Sequence, residues 1–308
     1  MKSSITDTVM MVRPAHFGFN EETAANNAFQ QPELELPKST IEEQARTEFD
    51  AFVRRLRASD INVMVIEDTA VPRKPDAVFP NNWVSLHSNG KIITYPMFSE
   101  YRRNERRRDI IEQMQQEFGY TTWIDYSSWE KEGKYLEGTG SMVFERGAGW
   151  AFACVSPRTN PDLFNRFCQD LEIEGLLFEA ADQEGQLIYH TNVMMAMGEH
   201  YAVICLESIP GAADRERLTD TLRKLGKTIV EISFDQVQSF AGNMLQVHNR
   251  HGIRYLIMSE QAYLSLNSGQ LKMLENNVSV LQAPIYTIEK LGGGSVRCML
   301  AEVFLPKR

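Results

Sequence analysis

The sequence predicts an α/β fold: a five-bladed α/β propeller of pseudo-repeated ββαβ units, folded as a single domain over residues 1–308. Three observations predict it. A turn of small or polar residues followed by a short apolar strand recurs five times, at a spacing of roughly 50 to 60 residues that belongs to repeat and propeller architectures. Between copies, helical patterns alternate with apolar strands. No Pro/Gly/Ser-rich or single-sign stretch divides the chain. A doubly wound parallel sheet accommodates the same helices and strands but gives no reason for matching turns.

The first turn, Asp76-Ala77-Val78-Phe79-Pro80-Asn81-Asn82, leads into Trp83-Val84-Ser85-Leu86. The second, Glu137-Gly138-Thr139-Gly140-Ser141, enters Met142-Val143-Phe144. The third is His190-Thr191-Asn192 before Val193-Met194-Met195, and the fourth is Phe240-Ala241-Gly242-Asn243 before Met244-Leu245-Gln246-Val247. The fifth, Gly292-Gly293-Gly294-Ser295-Val296-Arg297-Cys298-Met299, precedes a final strand expected over Leu300 to Leu305. Helices are expected over Ile41 to Ser59, Arg103 to Phe118, Pro161 to Leu171 and Ala213 to Leu225, where apolar residues fall at three- and four-residue spacing. Strands are expected over Asn62 to Ile66 and Thr228 to Ile232 after helices, and over Lys91 to Tyr95 and Tyr201 to Leu206 after turns. One such unit cannot hold a core alone. Five arranged about an axis bury their inner strands together.

Composition narrows the function. A net charge of -9 argues against a nucleic-acid binder, which needs a basic face for phosphates. Tyr101 to Arg108 is the one basic run. Interleaved with Glu100, Glu105 and Asp109, it reads as a solvated helix start, from which one arginine can reach inward to pair with a carboxylate. Cys154, Cys168, Cys205 and Cys298 form no CxxC pair and read as reduced thiols of a cytoplasmic protein. Met1 to Thr8 lacks the apolar core of a signal peptide. Without such a signal, the glycosylation pattern Asn277-Val278-Ser279 is set aside. No apolar run approaches the roughly 20 residues that cross a bilayer. The expected partner is therefore a small molecule, not nucleic acid or membrane, and a homo-oligomer stays open.

In a closed ring the polar residue of each turn points to the centre, so Asp76, Asn82, Glu137, His190 and Cys298 converge. Cysteine, histidine and glutamate supply a nucleophile, an acid/base and an orienting carboxylate. Each has a plainer reading. Glu137 can serve a turn, His190 on an apolar strand can be a satisfied core histidine, and Cys298 can be a packed thiol. It is their recurrence on matching turns that favours chemistry. Gly138 to Val143 lacks the third glycine and the helix of a dinucleotide fingerprint, and Gly292-Gly293-Gly294 has no following Lys-Ser/Thr. The six histidines contain no HExxH. Neither cofactor nor metal is expected.

Pro75-Asp76-Ala77-Val78-Phe79, Leu136-Glu137-Gly138-Thr139-Gly140, a strand-borne His190 and Gly292 to Cys298 together resemble the guanidine-modifying, or pentein, superfamily. Its members include arginine deiminases, dimethylarginine dimethylaminohydrolases and amidinotransferases, and the resemblance runs from about Arg13 to the C-terminus. Met11 to Asn20 and Phe79-Pro80-Asn81-Asn82-Trp83 are most similar to the bacterial citrulline hydrolases, or citrulline ureidases. The resemblance implies the pentein propeller. It also implies Cys298 as nucleophile, His190 as general acid/base, Glu137 as the carboxylate holding histidine or a substrate nitrogen, and Asp76 as substrate-binding. Arg158 resembles the arginine that grips the substrate carboxylate, and Arg102 or Arg103 matches another, in one of two adjacent registers.

Asn81-Asn82 depart from the acidic residues that guanidine hydrolases carry in this turn. A guanidinium in a dry site wants carboxylates, whereas a neutral ureido group offers donors and an acceptor that asparagine can match. The expected reaction is cleavage of citrulline to ornithine, carbon dioxide and ammonia through an S-carbamoyl cysteine, with imidazolium as the thiolate's natural partner. The alternatives are hydrolysis of arginine or a methylated arginine to citrulline, and a propeller that only binds an amino acid.

Overall fold

The computed structural model describes residues 4–24, 27–32, 36–276 and 278–306, so Asn277 of the discounted glycosylation pattern lies outside the described residues. Five three-stranded sheets repeat one pattern: a short strand after the motif turn, an antiparallel neighbour, a helix, and a third strand parallel to the second. β1 (Thr8–Arg13), α1 (Lys38–Ala58) and β2 (Asn62–Glu67) begin the first sheet. β3 (Val84–Leu86), β4 (Lys91–Thr94), α2 (Arg108–Phe118) and β5 (Thr122–Asp125) make the second. β6 (Val143–Glu145), β7 (Trp150–Cys154), α3 (Pro161–Leu171) and β8 (Glu174–Phe178) make the third. The fourth consists of β9 (Met195–Met197), β10 (Tyr201–Ile204), α4 (Ala212–Lys224) and β11 (Thr228–Glu231). The fifth has β12 (Leu245–His248), β13 (Arg254–Ser259), α5 (Ser268–Glu275) and β14 (Ser279–Ala283).

The short strand of the first sheet comes from the other end of the chain. β15 (Ala301–Glu302) pairs antiparallel with β1, Met10 opposite Ala301. The final strand is shorter than the expected Leu300 to Leu305: Val303 still donates to Thr8 O at 2.9 Å and also bridges Leu86 of β3. Neighbouring sheets touch through these strands: β15 with β3, β6 with β9, and β9 with β12. Val9 and Met11 share a core with Val247, Ile257 and Leu281, joining the first sheet to the fifth.

Helix α3 illustrates why the elements form where they do. The Asn160 side chain accepts from Leu163 N, Pro161 takes the first helical position, and Leu163, Phe164, Phe167, Cys168 and Leu171 form one buried stripe. The expected Arg103 to Phe118 helix is instead two pieces, Glu100–Arg103 and α2. Arg102, in the first piece, and Glu105, in the break, turn inward as a buried pair. His190 lies on no strand. It precedes a single helical turn, Thr191–Met194, and β9 starts only afterwards. Pro80–Asn82 and Gly138–Ser141 are the same device in the first two motif turns. Among the described residues no helix is long and apolar enough to cross a membrane.

Candidate active site

A small cavity is lined by Asp76, Phe79 and Asn82 of the first turn, His190 of the third, and Gly292-Gly293-Gly294 and Cys298 of the fifth. Thr23, Asn27, Arg102, Arg158 and Tyr189 complete its walls. Two glycines are required by close approach. A Cβ on Gly292 would lie 2.7 Å from the Phe79 ring, and one on Gly293, at φ +61°, 2.5 Å from the Asn27 amide.

His190 Nε2 lies 2.8 Å from Glu137 Oε2, and Glu137 Oε1 accepts from Phe98 N at 2.9 Å. Burial alone pushes the Glu137 carboxyl up, but Arg158, the histidine hydrogen bond and Arg102 outweigh it and hold the group well below the usual carboxylate range. Burial pushes His190 the other way, down to about 4, with Glu137 opposing and the two arginines reinforcing the shift. The imidazole is therefore neutral at neutral pH, contrary to the expected imidazolium. An anionic carboxylate can only accept, so Nε2 carries the proton and Nδ1 is the nitrogen left for proton exchange. Gly140 makes room for it: a Cβ there would lie 2.7 Å from His190 Nδ1 and 2.3 Å from Asn82 Nδ2.

Cys298 lines the same cavity, but its sulfur is held by two residues the sequence reading missed. Asn192 Nδ2 donates to Sγ at 3.4 Å and Asn243 Nδ2 at 3.3 Å. Asn243 is itself fixed, donating to Asn192 O at 3.0 Å and accepting from Arg297 N at 3.0 Å. The available signal was position: each asparagine occupies the third or fourth motif turn. Asn20, from the opening stretch, is a third omission. Its Nδ2 donates to Asp76 Oδ2 at 2.7 Å, while Asp76 Oδ1 is buried without a partner. Burial raises the Asp76 carboxyl, against Arg102 and Asn20.

Of the two candidate arginines, Arg102 faces the cavity. Arg103 turns away to Glu100 at 3.3 Å and Glu130 at 3.4 Å, as adjacent helical residues must diverge. Arg102 meets Glu105 through two bonds of 2.9 Å, Asn82 Oδ1 at 2.8 Å and Phe79 O at 3.2 Å. Arg158 Nη2 donates to Thr23 O at 3.1 Å, and Nη1 lies 3.5 Å from Glu137 Oε2. Asn81 does not share the cavity with Asn82. It is buried behind the tight turn, with its carbonyl accepting from Thr139 Oγ1 at 3.2 Å. Among the described residues no group of three or more His, Cys, Asp or Glu is placed to hold a metal ion.

Five small sheets and a cavity lined by a buried cysteine and a carboxylate-paired histidine are the features of the guanidine-modifying superfamily, to which the matching family model assigns the chain. No curated protein matches the sequence. The chain belongs to the family described as N,N dimethylarginine dimethylhydrolase, eukaryotic, whose model matches residues 13–305. Among solved structures, apo ArgZ, an arginine dihydrolase from the ornithine–ammonia cycle in cyanobacteria, superposes with a TM-score of 0.75 at 16% identity, over 98% of this chain and 41% of that one. The substrate-bound N-terminal domain of ArgZ gives 0.74 at 16% identity, over 97% and 98%. A dimethylarginine dimethylaminohydrolase gives 0.65 at 18% identity, over 97% and 99%. The chain thus spans 41% of full-length ArgZ and nearly all of its N-terminal domain.

Proposed function

We propose that the chain is a citrulline hydrolase of the cytoplasm, a single-domain five-bladed propeller that cleaves the ureido group to give ornithine, carbon dioxide and ammonia. The succession of touching sheets, and the pairing of β15 with β1, support the closed ring. Four unpaired cysteines suit a reducing compartment.

One observation carries the choice of substrate. Asn82 Oδ1 is taken by Arg102, so Nδ2 is left as a buried donor without a partner on the cavity wall. Asp76, which lines the same cavity, keeps Oδ1 as a buried acceptor without a partner. A ureido group answers both, its carbonyl accepting from Asn82 and its N–H groups donating to Asp76. A guanidinium has donors only and leaves Asn82 Nδ2 facing another donor, at a cost of about 1–3 kcal/mol.

In the reaction, neutral His190 takes the Cys298 proton as sulfur attacks the ureido carbon. The bond from that carbon to the side-chain nitrogen then breaks, and His190 returns the proton to the departing amine of ornithine. Water adds to the S-carbamoyl cysteine, His190 accepting its proton and passing it to sulfur as carbamate leaves. Glu137 keeps the imidazole oriented throughout, and Arg158 holds the substrate carboxylate.

A second reading draws on the same Asp76 oxygen and on the family itself: hydrolysis of arginine or a methylated arginine to citrulline. Separate incubations with citrulline, arginine and dimethylarginine decide. Ornithine is expected from citrulline; citrulline accumulating from either arginine, with citrulline itself untouched, overturns the proposal.

Two further outcomes follow from the histidine. The acid limb of kcat/KM is expected near pH 4, well below 6.5, because burial pushes the free enzyme's His190 down to about 4. The sign is the same for stability: the neutral buried imidazole's contribution is complete above pH 6.5 and is lost as pH falls towards 4. A limb centred at 6.5 in a pH–rate profile contradicts this. Gly140→Ala, whose new methyl meets the imidazole and the Asn82 amide, is expected to lower kcat by about tenfold to 10²-fold. Steady-state kinetics on a variant with an unchanged circular dichroism spectrum checks it.

A further inference from the structure

We infer that Glu105 and Arg102 form a positioning pair that decides which end of the Asn82 amide meets the substrate, and so decides between a ureido and a guanidino group. The inference deepens the citrulline reading and rests on it.

A guanidinium has five N–H donors and no acceptor. Arg102 can therefore bond Asn82 only through Oδ1, and the 2.8 Å contact from Nη1 assigns the amide's orientation by chemistry. The other donors are largely committed: Nε and Nη2 each meet Glu105 at 2.9 Å, and Nη2 also reaches Phe79 O at 3.2 Å. What is left points towards Glu137 Oε2, 4.0 Å from Nη1. A side chain so occupied cannot also take a substrate carboxylate as a bidentate partner. Its work is to hold Asn82.

Glu105 fixes Arg102 in turn. It is 3% exposed and stands three residues on, in the break between Glu100–Arg103 and α2. With the bidentate carboxylate removed, the guanidinium loses the partner that sets its plane. The Asn82 amide is then free to rotate and offer Oδ1 to the cavity, an acceptor suited to a guanidinium. Nothing in this chain of contacts touches the reacting carbon, so Glu105 acts on selectivity through Arg102 and Asn82.

The test is a double-mutant cycle read as binding, in Cys298→Ser protein so that no ligand is consumed. Calorimetry gives Kd for citrulline and for arginine in four proteins: the parent, Glu105→Gln, Asn82→Asp, and the two combined. Glu105→Gln is expected to lower the citrulline-to-arginine preference by about tenfold. With Asn82→Asp already present both oxygens accept, so no orientation remains to be set, and adding Glu105→Gln should move the ratio by less than about threefold. Equal shifts in both backgrounds overturn the inference, since a general loosening of the site acts on each alike. Should Glu105→Gln fail to fold, Arg102→Lys takes its place in the same cycle with the same expectation. A parent that prefers arginine overturns the citrulline reading instead, and the cycle read with arginine still decides the coupling.

Discussion

Cys298→Ser is expected to lower citrulline turnover by more than about 10⁴-fold while leaving the fold and ligand binding in place. Serine keeps the position, roughly the volume and the ability to accept from Asn192 and Asn243, so the contacts around residue 298 survive. What it lacks is a nucleophile that neutral His190 can deprotonate, because a hydroxyl is far less acidic than a thiol. Ornithine release followed by amine detection reads the loss, and a melting temperature close to the parent's excludes unfolding. Ornithine production at anything near the parent rate would remove the covalent mechanism. The same residue separates an enzyme from a propeller that merely binds an amino acid. Burial pushes the other thiols up, Cys154 and Cys205 to about 11 and Cys168 to about 12, so they make poor nucleophiles at neutral pH. A small alkylating reagent should therefore modify Cys298 first, with loss of activity, and citrulline should slow both. Labelling spread evenly over the four cysteines, with activity retained, would speak for the binding protein.

Much of this site was legible before any coordinates. The five turns are visible because each must place a polar group beside an apolar strand, and such a contrast survives in sequence. Cys298, His190, Asp76 and Asn82 meet at one cavity from three of those turns, and Glu137 stands behind His190 from a fourth. What was not legible depends on where a backbone bends rather than on residue type. Arg102 and Arg103 are chemically alike, and only the rotation of the Glu100–Arg103 turn on its axis sends one inward and the other out. Asn81 and Asn82 are identical, and only the Pro80–Asn82 turn sends one to the cavity and the other behind it. Asn192 and Asn243 were in view but assigned nothing, since an amide in a turn usually serves the turn itself. The protonation state of His190 was beyond sequence for another reason: it is set by burial and by two arginines from distant segments.

Asn82→Asp should exchange one substrate preference for another. Kinetics on citrulline is expected to show a fall of about 10²-fold in kcat/KM. The donor to the ureido oxygen disappears, and a carboxylate oxygen is set against it. Arg102 still binds residue 82, because either oxygen accepts, so the loss falls on the substrate rather than on the scaffold. For arginine the same change works in reverse. The wall then carries two carboxylates, at positions 76 and 82, where a guanidinium's hydrogens can be met and its charge neutralised. Binding of arginine should tighten by about tenfold or more, whether or not turnover follows. The comparison with Asn82→Ala separates the two effects. Alanine removes the donor without adding charge, so it should lose citrulline and gain nothing towards arginine. If Asn82→Asp and Asn82→Ala lose citrulline alike and neither gains arginine, the amide only fills space. If citrulline turnover survives both, residue 82 does not read the substrate, and the argument for a ureido group over a guanidinium fails with it.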